Sequence, residues 1–147
     1  MNKRHIVKID RKRTQDAYVQ WLDTFEWSYW CTGTTNYELT LKSARSLMER
    51  FYKNLQKHAF FLGNKPTLFW VAEPFDCRDG FHTHFLMKVH TDIPYDELKK
   101  IWNLSCGKSN SEFKHRFHIE KYNKEKGARS YCIKYIQKKL SDYDLHV

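Results

Sequence analysis

The sequence predicts an α+β domain: an antiparallel sheet with helices packed on one face, in the order βαββαβα. Three observations predict it. Short apolar and β-branched runs alternate with stretches of helical periodicity. Two of those runs, 67–74 and 81–89, flank the turn Asp76-Cys77-Arg78-Asp79-Gly80 and read as a hairpin. The 147 residues make one domain's worth of chain, and 5 Trp, 9 Tyr and 10 Phe suffice to fill its core.

Residues 1–24 read as a basic N-terminal arm, with a short helix near Ala17–Leu22, ahead of a single domain at 25–147. From Glu26 to Thr35, and most clearly over Trp27-Ser28-Tyr29-Trp30-Cys31-Thr32, β-branched and aromatic content predicts a strand. Over 40–58, Ala44, Leu47, Met48, Phe51, Tyr52 and Leu55 form one helical stripe, with Thr40 as its cap and Gly63 beyond its end. Thr67-Leu68-Phe69-Trp70-Val71-Ala72-Glu73 is continuously apolar up to its last residue, which suits a strand buried on both faces. The hairpin partner runs from Phe81 to Val89. Pro94 at the first helical position opens a helix to about Leu104, with Leu98, Ile101 and Trp102 inward. A strand from about His115 to Tyr122 follows, and after Gly127 a last helix reaches about Leu140. This split order closes into an RNA-recognition-motif-like or ferredoxin-like layout, leaving the other sheet face for a ligand.

Charge indicates the partner. Lys plus Arg number 26 against 17 Asp plus Glu, a net +9, which favours phosphate backbones or acidic surfaces. The cations concentrate in the N-terminal arm and the C-terminal third, where aromatics interleave with them, as expected where bases stack while phosphates pair. No apolar run approaches the roughly 18 residues of a membrane span, and the charged start is no secretory leader, so no membrane partner and a cytoplasmic location are expected. Cys31, Cys77, Cys106 and Cys132 lie far apart without a C-x-x-C, which argues against a zinc knuckle or a disulfide framework.

Three features converge on one site. His82 and His84, alternating on a strand, point to the same face, where paired imidazoles can hold a metal ion. Glu73 lies nine residues before His82, and a symmetric hairpin register sets the two directly opposite, with Cβ atoms about 5 Å apart. Two His and one carboxylate suit Mg²⁺ or Mn²⁺, with coordination positions left for a phosphate. On the last helix, Tyr131, Lys134, Tyr135 and Lys138 fall on one face, while Ile133, Ile136 and Leu140 fall on the opposite one and anchor it.

An upstream acid, His82-Thr83-His84, then Tyr131-Cys132-Ile133-Lys134 together resemble the HUH endonucleases, and more narrowly the rolling-circle replication initiators (Rep proteins) of small phages, plasmids and single-stranded DNA viruses. Trp30-Cys31-Thr32-Gly33-Thr34 stands where that family has its first motif, and the likeness spans roughly 26–140. Thr83 departs from the family, which usually has an apolar residue there. The resemblance implies that a tyrosine attacks a single-stranded DNA phosphodiester at a replication origin. This leaves a 5′-phosphotyrosyl enzyme and a free 3′-hydroxyl that primes replication, and the same linkage lets the site rejoin strands. It assigns Glu73, His82 and His84 to a divalent metal, Mn²⁺ or Mg²⁺, and Lys134 to the phosphate or the phenolate. Lys138 and Arg116 are expected DNA contacts, and a host helicase is an expected partner, the host cytoplasm being the setting if the source is a phage or plasmid.

Tyr131 has Lys134 three residues on, and Tyr135 has Lys138. The pair also resembles initiators in which both tyrosines serve. Tyr131 ranks first and Tyr135 second. One rival is a single-tyrosine HUH transposase, but such enzymes usually take their third metal ligand from the tyrosine helix, whereas Glu73 sits upstream. A second is a non-catalytic nucleic-acid-binding module in which Trp30, Trp70 or Phe85 would stack bases. Gly107-Lys108-Ser109 echoes a P-loop ending, but Trp102 stands where its first Gly belongs, so no ATPase is expected. His115 and His118 read as structural or surface residues.

Overall fold

Thr40 starts the first long helix as a true cap: its hydroxyl accepts from the Ser43 amide while the Ser43 hydroxyl accepts from the Thr40 amide. The fold is that of a computed structural model, which describes residues 13, 16–58, 61, 63–107, 114–127 and 143–146. In chain order the elements are α1 (residues 16–22), β1 (Tyr29–Thr34), α2 (Leu41–Lys57), β2 (Thr67–Pro74), β3 (Phe81–Lys88), α3 (Tyr95–Cys106), β4 (Arg116–Lys121) and β5 (Tyr143–His146). The strands form one sheet in the order β4-β1-β3-β2-β5, and every neighbouring pair is antiparallel. Through β4 this is the α+β layout that the sequence predicts. Pro94 caps α3 from one residue before the expected position. The expected last helix to Leu140, with Tyr131, Lys134, Tyr135 and Lys138, lies outside the described residues, as does most of the basic arm.

The sheet has two unlike faces. On one, the predicted stripe of α2 and Leu98, Ile101 and Trp102 of α3 pack on Cys31, Leu68, Trp70, Ala72, Phe85, Met87 and Phe117. Rings of Phe51, Phe85, Trp102 and Phe117 meet at centroid distances of 5.3–6.1 Å. Each such side chain fully buried contributes about 1.5–3 kcal/mol. The unbroken apolar run of β2 has its reason here: its even-numbered residues face α2 and α3, while Phe69 and Val71 face the other way. On that second face Trp30, Phe69, Val71 and Leu86 are covered by Leu22 of α1 and by Trp27. The Trp27 indole N–H donates to the Leu22 carbonyl at 2.9 Å and ties α1 to the start of β1. Two helices thus share one face as expected, and α1 closes part of the other.

Two side chains break the apolar rule inside the core and are accommodated. Thr83 is fully buried towards the helices, and its hydroxyl donates to the Gly33 carbonyl at 3.2 Å. Gly33 is required for packing: a Cβ there would lie 2.4 Å from the Trp102 ring. Gly33→Ala is therefore expected to lower stability by about 1–3 kcal/mol, read as a lower midpoint in urea unfolding; an unchanged midpoint would show that Trp102 has room to move.

β5 is an addition that the sequence did not announce. Its four residues carry one aliphatic side chain and pair with β2 across more than seventy positions. It is held from the helix side by Arg45, whose guanidinium bonds Asp144 at 2.9 Å, and by the Trp70 indole N–H, which donates to His146 Nε2 at 3.2 Å. Among the described residues no helix is long and apolar enough to cross a membrane.

Candidate metal centre

The β2–β3 hairpin adopts the symmetric register, with Glu73 opposite His82 and Val71 opposite His84. Alternation then puts Glu73, His82 and His84 on the face opposite α2 and α3. Their side chains keep only 12%, 17% and 11% of their exposure. A carboxylate so covered is costly unless it has partners. Glu73 Oε2 accepts from His82 Nε2 at 2.9 Å and from His84 Nε2 at 2.8 Å.

These separations test whether the three could hold a cation. Two donors about 2.1 Å from one ion and at right angles to each other lie about 3 Å apart. The Glu–His distances match that spacing, and all three ligand atoms lie within 4.8 Å of one another. Among the described residues this is the one group of three or more His, Cys, Asp or Glu so gathered. A mixed nitrogen and oxygen set of this kind suits Mn²⁺ and Mg²⁺.

The surrounding side chains orient the imidazoles. Trp30 stacks on His84 with centroids 5.4 Å apart and planes 2° from parallel. Phe75 packs on His82 at 4.6 Å. The Thr32 hydroxyl lies 3.0 Å from His84 Nδ1, delivered by the β1–β3 register that sets Thr32 opposite His84. A hydroxyl both donates and accepts, so Thr32 serves either tautomer; with a metal on Nε2, the Nδ1 hydrogen would point to Thr32. His82 Nδ1 is buried without a hydrogen-bond partner among the described residues. Thr32→Val is expected to weaken Mn²⁺ binding about 10- to 100-fold while Thr32→Ser keeps it, as measured by calorimetric titration; equal affinity in the Val variant would remove Thr32 from the site.

Of the residues that the sequence singled out, the structure brings together Glu73, His82 and His84. Arg116 starts β4 opposite Thr34, exposed, on the same sheet face as the trio. Tyr131, Tyr135, Lys134 and Lys138 lie outside the described residues. His118 is exposed, and His115 ties two loops: its Nδ1 accepts from the Asn36 amide at 3.1 Å and its Nε2 donates to the Gly107 carbonyl at 3.0 Å. Sequence reading did not place Trp30, Thr32 or Phe75 against the imidazoles. Alternation put Trp30 and Thr32 on one face, but which imidazole they meet depends on pairing with a strand some fifty residues away.

Cysteine chemistry has no part in the site. Cys31 and Cys106 are free and buried, and burial pushes the Cys31 thiol well up and that of Cys106 to about 12.

Comparison with known proteins agrees with this geometry. No curated protein and no solved structure matches the chain. The family model for the replication-associated protein ORF2 matches residues 28–140. That span takes in the strand bearing Trp30 and Thr32, the hairpin bearing the trio and both tyrosines of the C-terminal third, and the chain accordingly belongs to the ORF2 family of replication-associated proteins.

Proposed function

We propose that the chain nicks and rejoins single-stranded DNA at a replication origin, using Tyr131 as nucleophile beside a divalent metal. The observation that carries this reading is the half-buried Glu73–His82–His84 group on the open face of a replication-associated domain. In the proposed step the Tyr131 oxygen attacks the scissile phosphorus, the bond from phosphorus to the 3′-oxygen breaks, and the phenolic proton is given up. The products are a 5′-phosphotyrosine and a free 3′-hydroxyl, and attack by a 3′-hydroxyl reverses the step. A bound divalent cation would polarise the phosphate and offset its growing negative charge. Lys134, one helical turn from Tyr131, steadies the phosphate or the phenolate, whose ordinary pKa of about 10 makes it a poor nucleophile unaided.

Two structural facts support this reading. Tyr29, Tyr37, Tyr52 and Tyr95 already donate their hydroxyls, to Asp92 and to the carbonyls of Cys106, Pro66 and Phe117. Burial, reinforced by Asp92, pushes Tyr29 up to about 12, and burial raises Tyr37 and Tyr52 as well. Those phenols are poor candidates. The second fact is topological. The chain leaves β4 at one sheet edge and returns as β5 at the other, so the segment holding Tyr131 and Tyr135 joins the two edges. One face is already filled by α2 and α3, and the trio lies on the opposite one. A helix over 128–140 would measure about 20 Å, close to the roughly 19 Å of four strand spacings.

The binding-module alternative loses its stacking residues: Trp70 and Phe85 are fully buried against the helices, and Trp30 is occupied by His84. The test is incubation with single-stranded origin DNA and Mn²⁺. A protein–DNA adduct that survives denaturation and disappears with EDTA is expected; binding without any adduct across many sequences would favour a module.

A further inference from the structure

Two adjoining hollows open at the end of the sheet where β1 and β2 finish and β3 and β4 begin. One, of about 510 Å³, is lined by Phe75 and Arg78 together with Thr34, Lys114 and Arg116. The other, of about 610 Å³, shares those last three residues and reaches Thr32 and Lys99. Each falls in the size range of a small-ligand cleft. Neither is lined by an Asp or Glu, and among the described residues Arg78, Lys114 and Arg116 form no ion pair. A third hollow at the opposite end, near Trp27, instead mixes Asp23, Glu26 and Glu125 with Lys124 and Lys126. The excess positive charge is therefore focused at one end of the sheet.

That end adjoins the metal ligands on both sides. Phe75 lines the first hollow and packs on His82, and the Arg78 guanidinium lies 3.9 Å over the Phe75 ring. Thr32 lines the second and meets His84. The walls are fixed rather than loose. His115 sits between Lys114 and Arg116 and bonds both Asn36 and Gly107, and Tyr37 in the same loop donates to the Cys106 carbonyl at 2.7 Å.

We propose that this cleft holds the sugar–phosphate backbone of single-stranded DNA beside the metal trio, with Arg78, Lys114 and Arg116 pairing with the phosphates that flank the scissile one. The proposal rests on the nicking reading for its substrate, but its contacts need no metal. Guanidinium groups suit bidentate phosphate pairing, and Arg78 is held in place by its stacking on Phe75.

The test uses the full chain and a fluorescein-labelled single-stranded oligonucleotide in EDTA, with affinity followed against salt. Each of Arg78→Ala, Lys114→Ala and Arg116→Ala is expected to flatten the slope of log K on log salt by about 0.7 and to weaken binding about fivefold at 0.1 M salt. The triple variant should lose about 100-fold by the same relation. Arg116→Lys, which keeps the charge, should retain the slope. Mn²⁺ titration of the triple variant checks that the trio is intact. Unchanged affinity and slope in a triple variant that still binds Mn²⁺ would overturn the cleft and leave the nicking chemistry standing. Weakened binding by the variants, with no covalent adduct from the unmodified protein and Mn²⁺, would support the cleft as a DNA site and remove the nicking reading.

Discussion

Tyr131→Phe is expected to abolish the covalent DNA adduct, whereas Tyr135→Phe leaves it. Phenylalanine keeps the ring and its packing but has no oxygen to form the bond to phosphorus, so no residual reaction passes through that position. The asymmetry between the two substitutions is the informative part. Both tyrosines have a lysine three residues on, and both fall on the same helical face in the sequence pattern. Equal residual cleavage in the two single variants, with loss only in the double variant, would show that either phenol serves. The readout is the amount of denaturation-resistant adduct on one oligonucleotide, with DNA affinity measured alongside so that lost binding is not mistaken for lost chemistry.

Glu73→Gln is expected to lower Mn²⁺ affinity more than about 100-fold, since loss of an outer hydrogen-bond partner alone costs 10- to 100-fold and Glu73 would be a ligand itself. Adduct formation should fall with it and recover in part at high Mn²⁺ concentration. The amide keeps the size of the side chain and an oxygen facing the two imidazoles, so the hairpin should fold as before. Removing the charge also removes the carboxylate that accepts from both Nε2 atoms at 2.8–2.9 Å. The amide oxygen can replace it as an acceptor but is a weaker ligand for a hard cation. Calorimetric titration gives the affinity directly. Wild-type affinity in this variant would mean that the cation sits elsewhere.

Much of the fold was legible because the signals were local. The α2 stripe, the Thr40 cap, the hairpin turn and the inward face of α3 each declare themselves within a few residues, and the structure places all four as the sequence predicts. The trio was legible for a related reason: a symmetric hairpin fixes its own register, so Glu73 could be set opposite His82 from spacing alone. What the sequence could not show depends on pairing at a distance. β5 is too short and too polar to stand out, and its place follows from contacts with Arg45 and Trp70, far back in the chain. The segment Trp30-Cys31-Thr32-Gly33-Thr34 is the clearest case. Its likeness to a family motif gave it a position but no roles. In the fold, each of its first four residues has one: Trp30 stacks on His84, Cys31 fills the core, Thr32 bonds His84, and Gly33 admits the Trp102 ring. Such roles exist only once the central strand lies beside β3.

The same reasoning separates the cleft from the charge count. A net +9 says that the partner is anionic but not where it binds. Arg78 sits in a turn, and Lys114 and Arg116 lie nearly forty residues later; the sheet order brings them to one end, beside both imidazoles.

Mass spectrometry of the DNA-linked peptide tests the central claim most directly. After reaction with single-stranded DNA and Mn²⁺, nuclease trimming and trypsin digestion, cleavage following Arg129, Lys134 and Lys138 separates Tyr131 in peptide 130–134 from Tyr135 in peptide 135–138. The nucleotide mass is expected on peptide 130–134, as an ester of the tyrosine. Nucleotide on a peptide carrying Tyr29, Tyr37 or Tyr52, or on no tyrosine at all, would contradict the account.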